Sequence, residues 1–413
     1  MTSINIGLLG LGTVGNGVVN ILRANRPQLA ALNLKITRAA VRNLYPKRQA
    51  LYADIALTTD PASIVADPNI DIVVEVMGGV KDTYPLLVAA LKHGKHVISA
   101  NKDLLSEYGP ELTELARQNH VGLYYEAAVT GAIPILHTLS QSYAGDAITR
   151  VAGIVNGTSN YILTQMVREG RTYEQALKSA QELGFAEANP KNDVEGFDAC
   201  FKLLILSRFA FGMTPKLADI DRQGITSLSS GDFKAARTLG YAVKPLAVAA
   251  LQDGKLALTV SPELVASGHP LASIIYENNA VLVDSLNTKE IMMSGPGAGS
   301  LPTANSVIAD LYTIGSAIRD KREPAPFTSL SAETVTANDN DRHAARLVAV
   351  RRPESVADAV RAAIGTTYTK PLTENGVSYV LTKTLNCTQV ADIKTKINAI
   401  DGAEFLHALP VFE

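Results

Sequence analysis

INIGLLGLGTVGNGVVNIL, residues 4–22, is the stretch on which the fold turns. It opens with six apolar-strand residues, continues through Gly10-Leu11-Gly12-Thr13-Val14-Gly15, and ends with Val18, Val19, Ile21 and Leu22 at helical spacing. Strand, GxGxxG turn and helix in that order form the start of a dinucleotide-binding unit. Gly10 makes the turn, Gly12 lets the backbone approach a pyrophosphate, and Gly15 permits close contact between helix and strand. The N–H groups at Thr13 and Val14 then open the helix toward the phosphates. The same glycines, with no basic leader before them, argue against a secretory signal.

The next segments extend this unit. A strand at 35–41 ends in Val41-Arg42-Asn43, where an NAD-preferring site would carry an acid for the ribose hydroxyl. Arg42, helped by Lys47 or Arg48, would pair with a 2′-phosphate, so NADP is expected, with NAD possible. The apolar run 70–77 closes on Gly78-Gly79 and reads as a strand buried on both faces. A helix at 84–93 and a strand at 95–99 follow, ending in Ala100-Asn101-Lys102. Ligands of open α/β sheets sit beyond the carboxyl ends of strands, which delivers Lys102 to the cofactor and substrate. Capping the next helix, read at 111–119, is the plainer use of that lysine.

Residues 180–202, AQELGFAEANPKNDVEGFDACFK, bring Glu187, Asp193, Glu195 and Asp198 close to Lys202. Pro190 and Gly196 break the first half into a loop, and Phe197–Phe211 reads as a helix with few polar positions. Asp198 and Lys202 are four apart and share a face. A lysine on such a helix must be paired or hold its proton weakly, because an unpaired buried ammonium is costly. Either state suits proton transfer; a snorkelling lysine beside a solvated acidic loop is the alternative.

This stretch resembles the signature of the homoserine dehydrogenase family through Ala180, Gly184-Phe185, Asn189-Pro190, Asp193, Gly196, Asp198 and Lys202. The resemblance runs from residue 4 to about residue 320 through further motifs in family order. It implies the NAD(P)-dependent interconversion of L-homoserine and L-aspartate 4-semialdehyde. Lys202 would be proton donor or base, Lys102 would share the same oxygen and touch the cofactor, and Glu187, Asp193 and Asp198 would bind substrate. Glu126, Val129, Gly131 and Ile133 would hold sodium or another monovalent cation, for which carbonyls and one carboxylate are suitable donors. Gly297 and Gly299 would pass close to the cofactor. A catalytically silent NADP- or amino-acid-sensing regulator would share these folds, and another amino-acid oxidoreductase would share the dinucleotide motif.

Between these motifs lies Asn156-Gly157-Thr158-Ser159-Asn160, which either lines the substrate site or caps a helix at 161–168. Alternating segments at 255–260, 280–286 and 290–294 suggest an antiparallel sheet able to pair with a second subunit. A helix at about 305–319 would return to the first domain. Residues 320–341 read as a linker, and beyond them strand 343–350, helix 355–364, strands near 366–370 and 378–384, helix 389–400 and strand 404–412 spell a βαββαβ unit. This unit is similar to the ACT module, yet Arg351-Arg352-Pro353-Glu354-Ser355 lacks the Pro-Gly step of effector-binding members, so assembly is the expected role.

The fold class is therefore α/β: a Rossmann-type doubly wound parallel sheet (1–133), an α+β substrate and dimerisation domain (134–304) and a ferredoxin-like module (342–413). At 413 residues and 46% hydrophobic content each has material for a core. A net charge of −2 without basic blocks gives no support to nucleic-acid or membrane partners. A small-molecule substrate and a homodimer or homotetramer are expected instead. Two cysteines allow no disulfide framework and fit a cytoplasmic protein.

Overall fold

The computed structural model describes residues 3–24, 26–252, 254–328, 343–365 and 371–412. Two compact units emerge, one from Met1–Ile148, Leu204–Thr214 and Gly295–Thr334, the other from Thr149–Leu203, Pro215–Ser294 and Val335–Glu413. Among the described residues no helix is long and apolar enough to cross a membrane.

The first unit is built on strands β1 (Ile4–Leu9), β2 (Leu34–Ala40), β3 (Ala56–Thr58), β4 (Ile72–Glu75), β5 (His96–Ser99) and β6 (Leu123–Tyr124). They lie in the order β3-β2-β1-β4-β5-β6, all parallel. This is the Rossmann order, whose direction reverses between β1 and β4 and leaves a crevice there. β4 is shorter than the apolar run implied, because Glu75 ends it. Its buried carboxylate accepts from the N–H groups of Met77 and Gly78 and from Ser99 Oγ at 2.6–3.0 Å, bending the chain out of the sheet.

The helix expected at 111–119 starts much earlier, spanning Lys102–Gln118 with Pro110 inside it. Proline has no N–H, which leaves the Ser106 carbonyl, four residues back, without its helical donor. The buried Arg208 guanidinium donates to that carbonyl and to the Leu105 carbonyl, so the helix continues through the proline. Gly109 makes room, since a Cβ there would stand 2.5 Å from Arg208 Nη1. The returning helix spans Ser300–Arg319 and packs against Thr13–Arg23 at Gly17, where a Cβ would lie 2.6 Å from the Ser300 carbonyl oxygen.

The second unit holds β7 (Ile148–Ile154), β8 (Asp221–Arg222), β9 (Tyr241–Gln252), β10 (Lys255–Ala266), β11 (Asn278–Ser285), β12 (Lys289–Pro296), β13 (Arg346–Arg351), β14 (Leu372–Glu374), β15 (Val377–Leu381) and β16 (Glu404–Phe412). They form one ten-stranded sheet, β12-β11-β7-β9-β10-β16-β13-β15-β14, with β8 beside β10. β9, which the alternation pattern did not reveal, pairs residue for residue with β10.

The last four strands, in the order β16-β13-β15-β14 with antiparallel pairing, are a ferredoxin-like sheet. Its edge strand β16 also pairs in parallel with β10 through Leu264↔Val411 and Val265↔Phe412. Leu347, Leu381 and Leu409 share one core with Tyr161, Phe233 and Leu264, so the C-terminal residues and the preceding domain bury a single apolar interior. The strand read at 366–370 lies outside the described residues.

Candidate active site

In the first unit the glycine turn has the three geometries that the sequence implies. Gly10 has φ +106, and a Cβ on it would meet the Val76–Met77 backbone at 2.9 Å. A Cβ on Gly15 would stand 2.2 Å from the Gly10 carbonyl oxygen, whereas at Gly12 nothing lies within 4 Å. The helix that begins at Thr13 and Val14 has no side-chain cap and no acid in its first turn. Its N–H groups are thus left for an anion.

A cleft of about 850 Å³ opens at this turn, lined among others by Gly10, Gly12, Arg42, Arg48, Gly78 and Asp82. Arg42 is exposed on it, and Arg48 is steadied by the Asn43 carbonyl at 3.1 Å and by the Tyr45 ring at 5.8 Å. Lys47 is outside its lining. These features fit a dinucleotide.

Lys102 is the first residue of its helix, 3.7 Å from Asp103 and one-third exposed. The preceding Asn101 fixes that start. Its Oδ1 accepts from Leu104 N at 3.2 Å, its Nδ2 donates to the Gly79 carbonyl, and its own N–H reaches Ser99 Oγ at 3.1 Å. Glu75, Ser99 and Asn101 therefore tie the ends of β4 and β5 together beside the cleft. Only one signal in the sequence marked this, a carboxylate inside an apolar run.

In the second unit, Lys202 Nζ donates to Asp198 Oδ2 and to the Val155 carbonyl, each at 2.7 Å, with its side chain 12% exposed. Asn156 Nδ2 bridges Asp198 Oδ2 at 2.8 Å and Asp193 Oδ1 at 2.7 Å. The Asn156 Oδ1 accepts from Ser159 N at 2.8 Å and caps the helix Gly157–Glu169, which starts four residues before the expected 161. The capping reading of the Asn156–Asn160 run thus holds for Asn156, whose amide also bridges two carboxylates. Asn156, Asp193, Asp198 and Lys202 form a single network; Glu187 stands apart from it, exposed, with its backbone carbonyl accepting from Gln181.

Two family models match the chain: one for the homoserine dehydrogenase NAD-binding domain over residues 10–126, the other for homoserine dehydrogenase over residues 134–312. A homoserine dehydrogenase of Bacillus subtilis is 44% identical over 317 residues, which is 76% of this chain and 73% of that one. The chain belongs to the homoserine dehydrogenase family. A homoserine dehydrogenase from Lactococcus lactis is 39% identical over 87% of this chain and 85% of its own. The crystal structure of the Thiobacillus denitrificans homoserine dehydrogenase aligns with a TM-score of 0.92 and 34% identity, covering 100% of this chain and 99% of that one. As a homoserine dehydrogenase the chain is an oxidoreductase that acts on the CH–OH group of a small molecule and carries a dinucleotide-binding domain. A silent regulator is not favoured.

The residues that the resemblance assigns to a cation in this homoserine dehydrogenase sit in the first unit. Glu126 is fully buried, and its carboxylate accepts from the N–H groups of Leu136 at 2.9 Å and His137 at 2.6 Å. Burial, and then the nearby Asp310 carboxylate, push its pKa up to about 7. The Gly131 carbonyl accepts from Ser306 Oγ, and the Ile133 carbonyl from Ile135 N at 2.8 Å. Thr130, with φ +50, keeps a buried Oγ1 without a partner beside Val129. Gly131 in turn lies under the Gly297 backbone, 2.5 Å from where its Cβ would be, while Gly299, with φ +128, caps Ser300–Arg319.

Proposed function

We propose that Lys202 is the proton-transfer group of the homoserine dehydrogenase reaction, with Lys102 as the second cation on the reacting oxygen. Support comes from the buried Asp198–Lys202 pair. An ammonium has three donors, and Asp198 and Val155 use two of them, which leaves one N–H for a substrate oxygen. When bound, the nicotinamide supplies the hydride for the aldehyde carbon. Lys202 gives its proton to the oxygen as it becomes a hydroxyl and is left neutral; in the oxidative direction the neutral amine takes that proton back. Asp198 holds the Lys202 amine in position between turnovers, and Asn156 holds Asp198 and Asp193 in register. Asp193, Asp198 and Glu187 bind the polar groups of homoserine. Replacing Lys202 with Ala should leave NADPH binding, read by fluorescence, within about twofold while turnover falls by roughly three orders of magnitude. Near-normal turnover in that variant removes Lys202 from the chemistry.

The same proposal includes NADP as the preferred cofactor, contacted at Gly10, Gly12, Thr13, Val14, Gly15, Lys102, Gly297 and Gly299 and anchored at Arg42. An arginine standing where an acid would bond the ribose hydroxyl supports it, as does the cleft-lining Arg48. An archaeal relative, 26% identical with a TM-score of 0.65 over 76% of this chain, was solved in complex with NADPH. Arg42→Asp should shift the NADPH-to-NADH ratio of kcat/KM toward NADH by about tenfold or more, and an unchanged ratio would refute the anchor.

A monovalent cation at Glu126, Val129, Gly131 and Ile133 is supported by the all-oxygen donor set and the unpartnered Thr130 hydroxyl. It would hold that loop and supply no reacting group. Exposed Leu286 and Ile291, on the edge hairpin of the second sheet, support a homodimer or homotetramer, which a monomeric sedimentation profile would refute. Free thiols at Cys200 and Cys387 fit a reducing cytoplasm.

A further inference from the structure

A second cavity, of about 440 Å³, runs in the second unit along the helix Gly157–Glu169 from Asn160 to beyond its C-terminus at Gly170. It shares no residue with the Asn156–Asp193–Asp198–Lys202 network. Leu163, Met166 and Phe233 are among its apolar lining, and Arg168, Lys234, Arg237 and Lys244 are its charged groups. Four cations face it and no carboxylate lines it.

The helix terminus favours a cation in its last turn, which accounts for Arg168 but not for the other three. Arg168 and Arg237 are exposed and make no ion pair among the described residues. Lys234 meets Glu374 at 2.9 Å yet stays 67% exposed. Lys244 is only 6% exposed, and its Nζ donates to the Ile274 carbonyl at 2.5 Å. Burial, and then the charge of Arg168, pull its pKa down to about 8. Beside it, fully buried Asn160 donates through Nδ2 to the Tyr276 carbonyl at 2.8 Å, while its Oδ1 has no partner. A buried cation in no ion pair among the described residues, although buried Glu263 lies opposite it on β10, and a buried acceptor without a donor are both unfavourable. A ligand with an acidic head and apolar carbons would relieve the first.

We propose that this cavity binds a small amphiphilic anion, its carboxylate-type head on Arg168, Arg237 and Lys244 and its apolar body against Leu163, Met166 and Phe233. The volume is in the range of small-molecule sites, and the division into apolar lining and few convergent polar groups is their usual composition. Nothing in the redox reaction requires it.

Titration calorimetry of the full chain with octanoate, octanamide and inorganic phosphate tests this. Octanoate should saturate at one per chain, and octanamide and phosphate should each bind about tenfold more weakly or worse, since each lacks half of the recognised chemistry. The double variant Arg168→Gln, Arg237→Gln should lose about tenfold or more in octanoate affinity. Both positions are exposed and outside the catalytic network, so circular dichroism and basal turnover should be unchanged. Octanoate that does not saturate at millimolar concentration, binds the variant equally well, or is matched by octanamide or by phosphate overturns the proposal.

Discussion

The two ends of the helix Gly157–Glu169 are built on opposite terms. At its N-terminus the network charges are answered: Lys202 by Asp198 and a carbonyl, Asp193 and Asp198 by the amide of Asn156, whose Oδ1 also takes the Ser159 N–H. At its C-terminus four cations face a cavity with no carboxylate in its walls. A filled network holds its geometry before any substrate arrives, which is what the proposed proton transfer requires. An open, one-signed cavity leaves that compensation to whatever enters. The first unit repeats the contrast with no charge involved, since space beside Gly15 is filled and space beside Gly12 is open.

The glycine pair offers the largest effect through which this contrast can be broken. Gly15→Ala puts a methyl 2.2 Å from a backbone carbonyl that has nowhere to go, so the turn must shift. A loss of about 3 kcal/mol or more in unfolding free energy is expected, with cofactor binding lost alongside it. Gly12→Ala meets nothing within 4 Å and should unfold within about 1 kcal/mol of the parent, yet bind NADPH at least about tenfold more weakly, because the methyl takes the space of the pyrophosphate. Denaturant melts together with fluorescence titration separate the two. If Gly12→Ala bound NADPH normally, the open side of the turn would not be the phosphate side.

Asn156 permits a sharper cut within the filled end, because it both caps a helix and bridges two carboxylates. Serine is also a good N-cap but is too short to reach Asp193 and Asp198. Asn156→Ser should therefore keep the melting temperature close to the parent's while kcat/KM for homoserine falls by roughly tenfold to a hundredfold. Asn156→Ala should lose the same activity and in addition about 1 kcal/mol of stability. Equal activity in Asn156→Ser and the parent would reduce the bridge to architecture.

How far the chain could be read from its sequence depended on the reach of each interaction. The GxGxxG turn and the Asp198–Lys202 pair lie within one turn or one helix face, so spacing alone exposes them. Asn156 reaches Asp198 across 42 residues, and Arg208 reaches Leu105 across 103, so local pattern named each residue type without naming its partner. Pro110 shows the cost of a local rule: proline breaks helices unless something else satisfies the carbonyl it strands, and here a distant arginine does. β9 was hidden for the opposite reason. Its Pro245 and its alanines are poor strand signals, yet twelve paired residues of β10, including Pro262 opposite Pro245, hold it extended. The parallel join of β16 to β10 is a contact between distant segments and has no periodicity to reveal it.

The open end makes the smallest prediction, and it concerns pH. The pKa of Lys244 falls from 10.5 to about 8 because burial, and then Arg168, disfavour its charge; the Ile274 carbonyl and the Asn160 amide lie beside it, and buried Glu263 stands opposite it on β10 without forming an ion pair with it. Between about pH 8 and 10.5 the unfolded chain keeps a proton there that the folded chain has released, so folding stability from this group rises with pH through that window. Below pH 8 both states hold the proton, and the burial penalty, on the order of 3 kcal/mol, is constant and unrelieved. Against Lys244→Met the parent's melting temperature should run a constant distance behind up to about pH 8 and then catch up by a few degrees toward pH 10.5. Octanoate at pH 7 should narrow the same gap, because an anion in the cavity stabilises the charged amine. A gap that stays constant across the alkaline window would mean that Lys244 is as well compensated as Lys202, and the contrast between the two ends of the helix would disappear.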